Sequence, residues 1–176
     1  MKLNNIAYQD IVAGGVSEGK FANVKNYGLE LEALGRFDQF HINVNATLQD
    51  PKYSDFKGNG FNYDNNQARR IPKFYFIVRP DYNITKDLNV YMKYSHFGKK
   101  FNDEGNTFVL AGFNVFDAGV SYKMNNIRFG IDATNIFNTI GLTEGDGDWK
   151  GKNNGDVVFA RSIVGAAARA SITLDF

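Results

Sequence analysis

Apolar and polar residues alternate with a period of two along most of the chain. From Phe40, the positions Ile42, Val44, Ala46 and Leu48 are apolar, while His41, Asn43, Asn45, Thr47 and Gln49 are polar. Leu88, Val90, Met92 and Tyr94 alternate with Asn89, Tyr91, Lys93 and Ser95; Ile127, Phe129, Ile131 and Ala133 alternate with Arg128, Gly130, Asp132 and Thr134. Near the end, Val164, Ala166, Ala168, Ala170, Ile172, Leu174 and Phe176 alternate with Gly165, Ala167, Arg169, Ser171, Thr173 and Asp175, so residues 160–176 read as one strand. Successive strand side chains point to opposite faces, so each segment is a strand with one apolar and one polar face. Three more segments fit, around Tyr27–Phe37, Phe74–Tyr82 and Phe116–Lys123. The opening, Leu3 to Val12, alternates poorly and reads as an eighth strand. No amphipathic helix emerges.

The connections have a parity of their own. Short links fall near Asp38-Gln39, Thr85-Lys86-Asp87 and Asn125-Asn126; long ones fall near 13–20, 57–68, 99–107 and 138–158. Long and short alternate without exception. An up-and-down transmembrane barrel predicts this, with tight turns on one rim and long loops on the other, and a soluble sandwich does not. Aromatic residues gather at both ends of the strands: Phe37, Phe40, Tyr82, Tyr122 and Phe176 beside short turns or the chain end, Phe97, Phe108, Phe137 and Phe159 beside long loops. Two such sets match the interfacial girdles of a membrane barrel.

Composition agrees once the barrel is considered. The chain has 176 residues, the size of one domain or a piece of one, with 16 Phe, 9 Tyr, 18 Gly and 3 Pro. Its mean hydropathy is −0.36. The longest stretch without a charged residue is Gly105 to Phe116, too short for a spanning helix, which needs about 18 apolar residues. A barrel needs no such run, because half its wall residues face the lumen. A net charge of +1 argues against a nucleic-acid partner. Cysteine is absent and only His41 and His96 are present, on opposite parities, so neither a thiolate nor a multi-histidine metal site is expected. Met1-Lys2-Leu3-Asn4-Asn5 lacks the apolar core and cleavage site of a signal peptide.

Four stretches carry a family resemblance. Asn23-Val24-Lys25-Asn26-Tyr27-Gly28-Leu29-Glu30-Leu31-Glu32, Arg70-Ile71-Pro72 through Pro80-Asp81-Tyr82, Phe113-Asn114-Val115-Phe116-Asp117 through Tyr122, and Asp132-Ala133-Thr134-Asn135-Ile136-Phe137-Asn138 come in order, before a terminal Phe176 on the apolar parity. Together they resemble the C-terminal portion of a TonB-dependent outer-membrane receptor, over nearly the whole chain. The resemblance implies a plug domain and further barrel strands outside residues 1–176, and a barrel of about twenty-two strands in all. It also implies active uptake of a bulky nutrient such as a siderophore-iron chelate. The partners it implies are outer-membrane lipid, the plug, the remaining strands, the nutrient and the TonB energy-coupling complex, which acts through the missing plug. It implies no cofactor.

The candidate ligand-binding residues are Arg69, Arg70, Trp149 and Arg161. Arg69 and Arg70 stand where a long loop enters a strand. Arg161 shares the polar parity of Arg169, which assigns both to the lumen face of the last strand. A lumen arginine can guide an anionic chelate through charge-assisted hydrogen bonds. The commoner role is pairing with a wall carboxylate such as Glu30, Glu32, Asp117, Asp132 or Asp175. Trp149 can stack on a flat ligand or anchor its loop. Asp146-Gly147-Asp148 with Glu144 lacks the spacing of a calcium loop and reads as a solvated acidic loop. Tyr53, Phe61 and Tyr63 lie in or near the second long loop, where they contact ligand or pack the loop. No nucleophile–base pair or phosphate loop appears, so an enzyme has no support.

The expected fold is thus all-β, an antiparallel up-and-down transmembrane barrel segment of about seven to eight strands in the bacterial outer membrane. The alternative is a complete eight-stranded barrel with a structural or adhesive role.

Overall fold

The computed structural model describes residues 2–11, 17–58, 60–145 and 160–175. Eight strands form one sheet: β1 (Lys2–Ile11), β2 (Ser17–Phe37), β3 (Phe40–Ser54), β4 (Phe74–Asn83), β5 (Leu88–Phe97), β6 (Phe113–Met124), β7 (Ile127–Thr134) and β8 (Ala167–Leu174). Every strand pairs antiparallel with its sequence neighbours. The topology is therefore up-and-down, as expected. β1 and β8 are the two edges, and among the described residues no ladder joins them. The sheet is open and does not close on itself as the eight-stranded alternative requires.

The opening segment is indeed a strand. Its pairing with β2 shifts register between Leu3 and Ile6. An irregularity of that kind resets side-chain parity, which is why its alternation reads poorly. Pro80 sits inside β4 and pairs with Ile42 of β3. On the β5 side the ladder runs from Tyr75↔Phe97 to Val78↔Tyr94 and resumes at Asp81↔Tyr91 without a change of register. The gap falls on Arg79 and Pro80, where the ring nitrogen has no hydrogen to donate.

Register places the apolar positions on one continuous face. One row runs across seven strands, Phe37–Phe40–Tyr82–Val90–Val120–Ile131–Ala170. Another runs Ala33–Val44–Val78–Tyr94–Phe116. Leu29, Leu31, Leu48, Met92, Ile131 and Ile172 are each more than half exposed. A patch this large on a soluble protein would be an aggregation liability; against lipid it is the required surface. From Tyr27 to Phe37 the band covers about 33 Å of strand at ~3.3 Å per residue, and a tilt of ~40° brings it to ~25 Å, the apolar height of an outer-membrane barrel.

The opposite face is polar. Its longest row is Arg36–His41–Asp81–Tyr91–Gly119–Asp132–Arg169. Here Tyr91 leans across Gly119 and donates its hydroxyl to Asp132 Oδ1 at 2.7 Å. A Cβ on Gly119 would collide with the Tyr91 ring, so only glycine lets the tyrosine reach two strands away. Arg79 covers the other side of that ring at 4.1 Å, and Arg169 closes on Asp132 at 3.3 Å. Lys93 pairs with buried Asp117 at 2.7 Å. His41 lies in the polar row and His96 on the apolar parity, as expected.

The short links and the long connections after β3 and β5 keep the predicted parity. The long connection expected near 13–20 does not form, because β2 already begins at Ser17 and pairs with β1 from Ile11, and residues 12–16 lie outside the described residues. The short links β2–β3 and β6–β7 begin at Asp38 and Asn125, both left-handed at φ 51° and 55°. Phe37, Phe40, Tyr82 and Tyr122 form the outward aromatic set on this rim. On the long-loop rim the outward set differs from expectation. It consists of Phe74, Phe76, Tyr94 and Phe116, with Phe137 edge-on to Phe116 at 5.1 Å. Phe97 instead faces inward, stacked on Tyr75 and packed on Phe113, because its parity is opposite to that of His96. Phe108 belongs to a loop. Phe159 and Phe176 lie outside the described residues.

Candidate functional site

On the long-loop rim, the described parts of three connections fold against one another: residues 55–58 with 60–73, 98–112, and 135–145 with 160–166. Each has a local reason for its shape. In the first, a short hairpin pairs Lys57 with Asn62 and Gly58 with Phe61. Tyr53, Phe56, Tyr63, Ala68 and Ile71 pack on Ala22 and Val24 of β2, with ring centroids of Tyr53 and Phe56 4.8 Å apart. Tyr53 and Tyr63 are thus loop-packing residues, while Phe61 is exposed. Tyr53 belongs to β3, which runs further than its alternation shows.

In the second, Asp103 organises the turn. Its carboxylate accepts from the backbone N–H groups of Thr107 and Phe108 and from the Thr107 hydroxyl, at 2.7 to 3.0 Å. Burial alone would raise its pKa, but those donors, Phe108 and Thr107 first, outweigh burial and hold it below the ordinary 3.8. A depressed carboxylate stabilises the fold above its unfolded pKa, and the stabilisation is lost as pH falls through the folded value. The amides of Thr107 and Phe108 are therefore expected to stay protected from hydrogen exchange above the ordinary aspartate value of 3.8 and to lose protection only as pH falls below it. Protection unchanged to pH 2, measured by exchange mass spectrometry, would refute this role for Asp103.

Two asparagines stitch the loops together. Asn106 Oδ1 accepts from Gln67 N at 2.8 Å while its Nδ2 donates to Gln67 O at 2.9 Å. Asn102 does the same to Gly145, accepting at 2.8 Å and donating at 2.9 Å across 43 residues. Each carboxamide acts as one residue of a strand would. Asn102 is 1% exposed, so both bonds are shielded from water.

The charged residues gather around this seam. Arg70 has a left-handed backbone (φ 62°), which directs its N–H to Phe101 O. Its guanidinium donates to Glu144 Oε2, to Gly145 O at 3.3 Å and to Asn102 Oδ1 at 3.4 Å. Arg161 donates to the other oxygen, Glu144 Oε1, at 2.9 Å. Lys100 stands nearby, its pKa lowered first by burial and then by the Arg70 charge. Two arginines thus share one carboxylate, with the Lys100 charge close enough to feel both Arg70 and Glu144. The Arg161 side chain is 83% exposed and is the outermost of them.

Arg70 and Arg161 therefore come together. Arg69 does not join them: it pairs with Glu104 at 2.8 Å, and its backbone N–H donates to the Tyr53 hydroxyl. Trp149 and the 146–148 acidic run lie outside the described residues. Arg161 is not on the last wall strand. Ala160–Ser162 forms a separate hairpin with Leu142–Gly145, residues 163–166 are not strand, and β8 begins at Ala167. The parity shared with Arg169 is coincidental, because alternation continues across a break that the backbone makes. The sequence pattern does not reveal Lys100, Asn102 and Glu144 as one cluster.

An antiparallel sheet with an apolar outer face, a charged inner face, tight turns on one rim and stitched loops on the other is a section of transmembrane barrel wall. The sequence matches the family model "TonB dependent receptor-like, beta-barrel" over residues 2–136, and the chain belongs to that family of bacterial outer-membrane receptors. No curated protein matches it. Among solved structures it is similar to the siderophore receptor PiuA from Acinetobacter baumannii, with 17% identity over 98% of this chain and a TM-score of 0.74. It is also similar to the ferric yersiniabactin uptake receptor FyuA from Yersinia pestis (18% identity, 88% of this chain, TM-score 0.73). A third is the copper transporter OprC (14% identity, 99% of this chain, TM-score 0.71). The chain spans 25%, 24% and 27% of those three chains, about a quarter of each.

Proposed function

We propose that residues 1–176 are the C-terminal part of the barrel of an energy-coupled outer-membrane receptor that takes up a bulky anionic nutrient, a siderophore-iron chelate in the first instance. A plug, further barrel strands and the TonB energy-coupling complex complete the machine. The observation that carries the ligand class is the Arg70–Glu144–Arg161 cluster with Lys100. It leaves net positive charge at the loop rim, with the Arg161 guanidinium exposed. A carboxylate or catecholate ligand competes with Glu144 for donors already in place. The similarity to PiuA and FyuA supports iron chelates, and the similarity to the copper transporter OprC supports a metal ion as the competing cargo.

In the full-length receptor, Arg161→Glu is expected to lower the affinity for anionic ferric chelates by about tenfold, as one charge-assisted contact implies. Arg169→Gln, deeper on the wall, serves as the comparison. Radio-iron uptake from a panel of neutral and anionic ferric chelates reads this. Equal uptake of all anionic chelates by Arg161→Glu and the wild type would remove the cluster from the ligand path.

A further inference from the structure

The outward face carries a second charged feature that uptake does not use. Continuous register along β2 and β3 sets Leu29 opposite Leu48, Tyr27 opposite Asp50 and Lys25 opposite Lys52, all on the parity of the lipid band. Lys25 and Lys52, on adjacent strands, thus form one cross-strand pair. Like charges directly opposite each other destabilise a sheet. The fold relieves this only in part: Asp50 takes Lys52 at 2.9 Å and Lys73 at 2.7 Å. Among the described residues no carboxylate pairs with Lys25, which is exposed. Lys25, Lys52 and Lys73 around Asp50 leave two positive charges on the patch.

Position identifies the counter-ion. The pair sits one outward position beyond Tyr27, which is 73% exposed and caps the apolar band at Leu29, Leu48 and Phe74. Two strand residues further along is about 7 Å, the step from the hydrocarbon edge into the headgroup layer. The patch is continuous with the lipid-facing surface and lies on the long-loop rim, which faces the outer leaflet. Basic residues at that depth attract anionic headgroups. We propose that Lys25, Lys52 and Lys73 form a binding site for a phosphorylated headgroup of an outer-leaflet lipid, which fastens the β1–β3 wall to that leaflet. The phosphate supplies the anion the lysines lack, while Tyr27, Leu29 and Phe74 lie against its acyl chains.

The test uses the full-length receptor, purified in detergent and mixed with a bis-phosphorylated glycolipid or its dephosphorylated form; native mass spectrometry counts retained lipid. The wild type is expected to retain the phosphorylated lipid preferentially. The Lys25→Gln, Lys52→Gln, Lys73→Gln variant is expected to lose at least about tenfold in retention, with heat-modifiable gel mobility unchanged. Should that variant not fold, retention by the wild type is read against salt, and a steep fall for the phosphorylated lipid alone supports the site. Equal retention of both lipids by the wild type overturns the proposal. Displacement of the lipid by millimolar inorganic phosphate also overturns it, since the site would then be one for free phosphate.

Discussion

Refolded alone into detergent, this chain is expected to give oligomers or aggregates and no monodisperse monomer. The reason is the pair of open edges. β8 has 8 residues, about half of whose N–H and C=O groups point to the unpaired side. In lipid each unsatisfied group costs several kcal/mol, so one edge alone costs on the order of 10 kcal/mol, comparable to the whole stability of a domain, ~5–15 kcal/mol. Association of edges between copies removes that cost. Light scattering during size exclusion, with the heat-modifiability of gel mobility, measures the outcome. A monodisperse monomer with heat-modifiable mobility would mean that β1 and β8 pair with each other, and the open sheet would be the wrong ground state.

The second large effect is expected at Asn135. Its side chain is 3% exposed, and its backbone is left-handed at φ 48°. Nδ2 donates to Thr139 O at 2.9 Å and to Val164 O at 3.0 Å, and Oδ1 accepts from Thr139 N at 2.8 Å. Its own N–H donates to Asp117 Oδ1 at 2.8 Å, on the carboxylate that also holds Lys93. Asn135→Ala in the full-length receptor strands three main-chain groups at ~1–3 kcal/mol each. It adds about 1 kcal/mol for a left-handed alanine. The expected result is a destabilisation of roughly 4 kcal/mol or more, seen as a marked fall in the temperature at which the folded gel band is lost. Asn135→Gly, which keeps the backbone freedom, is expected to recover only the last part. A melting temperature for Asn135→Ala equal to the wild type would show that the turn holds without its carboxamide.

The wall was legible because its physics is local. Period-two alternation and the parity of the connections depend on neighbours in sequence, and they placed the strands and the two rims. The resemblance motifs were legible too, and two of them meet in the fold, where Asp117 and Asn135 are joined across the β6–β7 hairpin. The rim was harder to read. Arg70 and Glu144 are 74 residues apart, Asn102 and Gly145 43. Nothing in either neighbourhood announces the other. The left-handed turn at Arg70 is equally silent, since arginine has no preference for it. Arg161 misled because parity counts residues and does not see where pairing stops, and here it stops between Ser162 and Ala167.

The two asparagine stitches divide their labour unequally. One loop contributes a side chain, while the other contributes only the main chain of Gln67 or Gly145. Substitution on the receiving loop leaves a stitch intact as long as the backbone follows the same path, whereas substitution of Asn102 or Asn106 removes it. The rim can therefore change its surface residues while its loops stay fastened. Each stitch thus has a tolerant partner and a constrained one, and chimaeras that exchange the loop at 98–112 must carry both asparagines to keep the rim assembled.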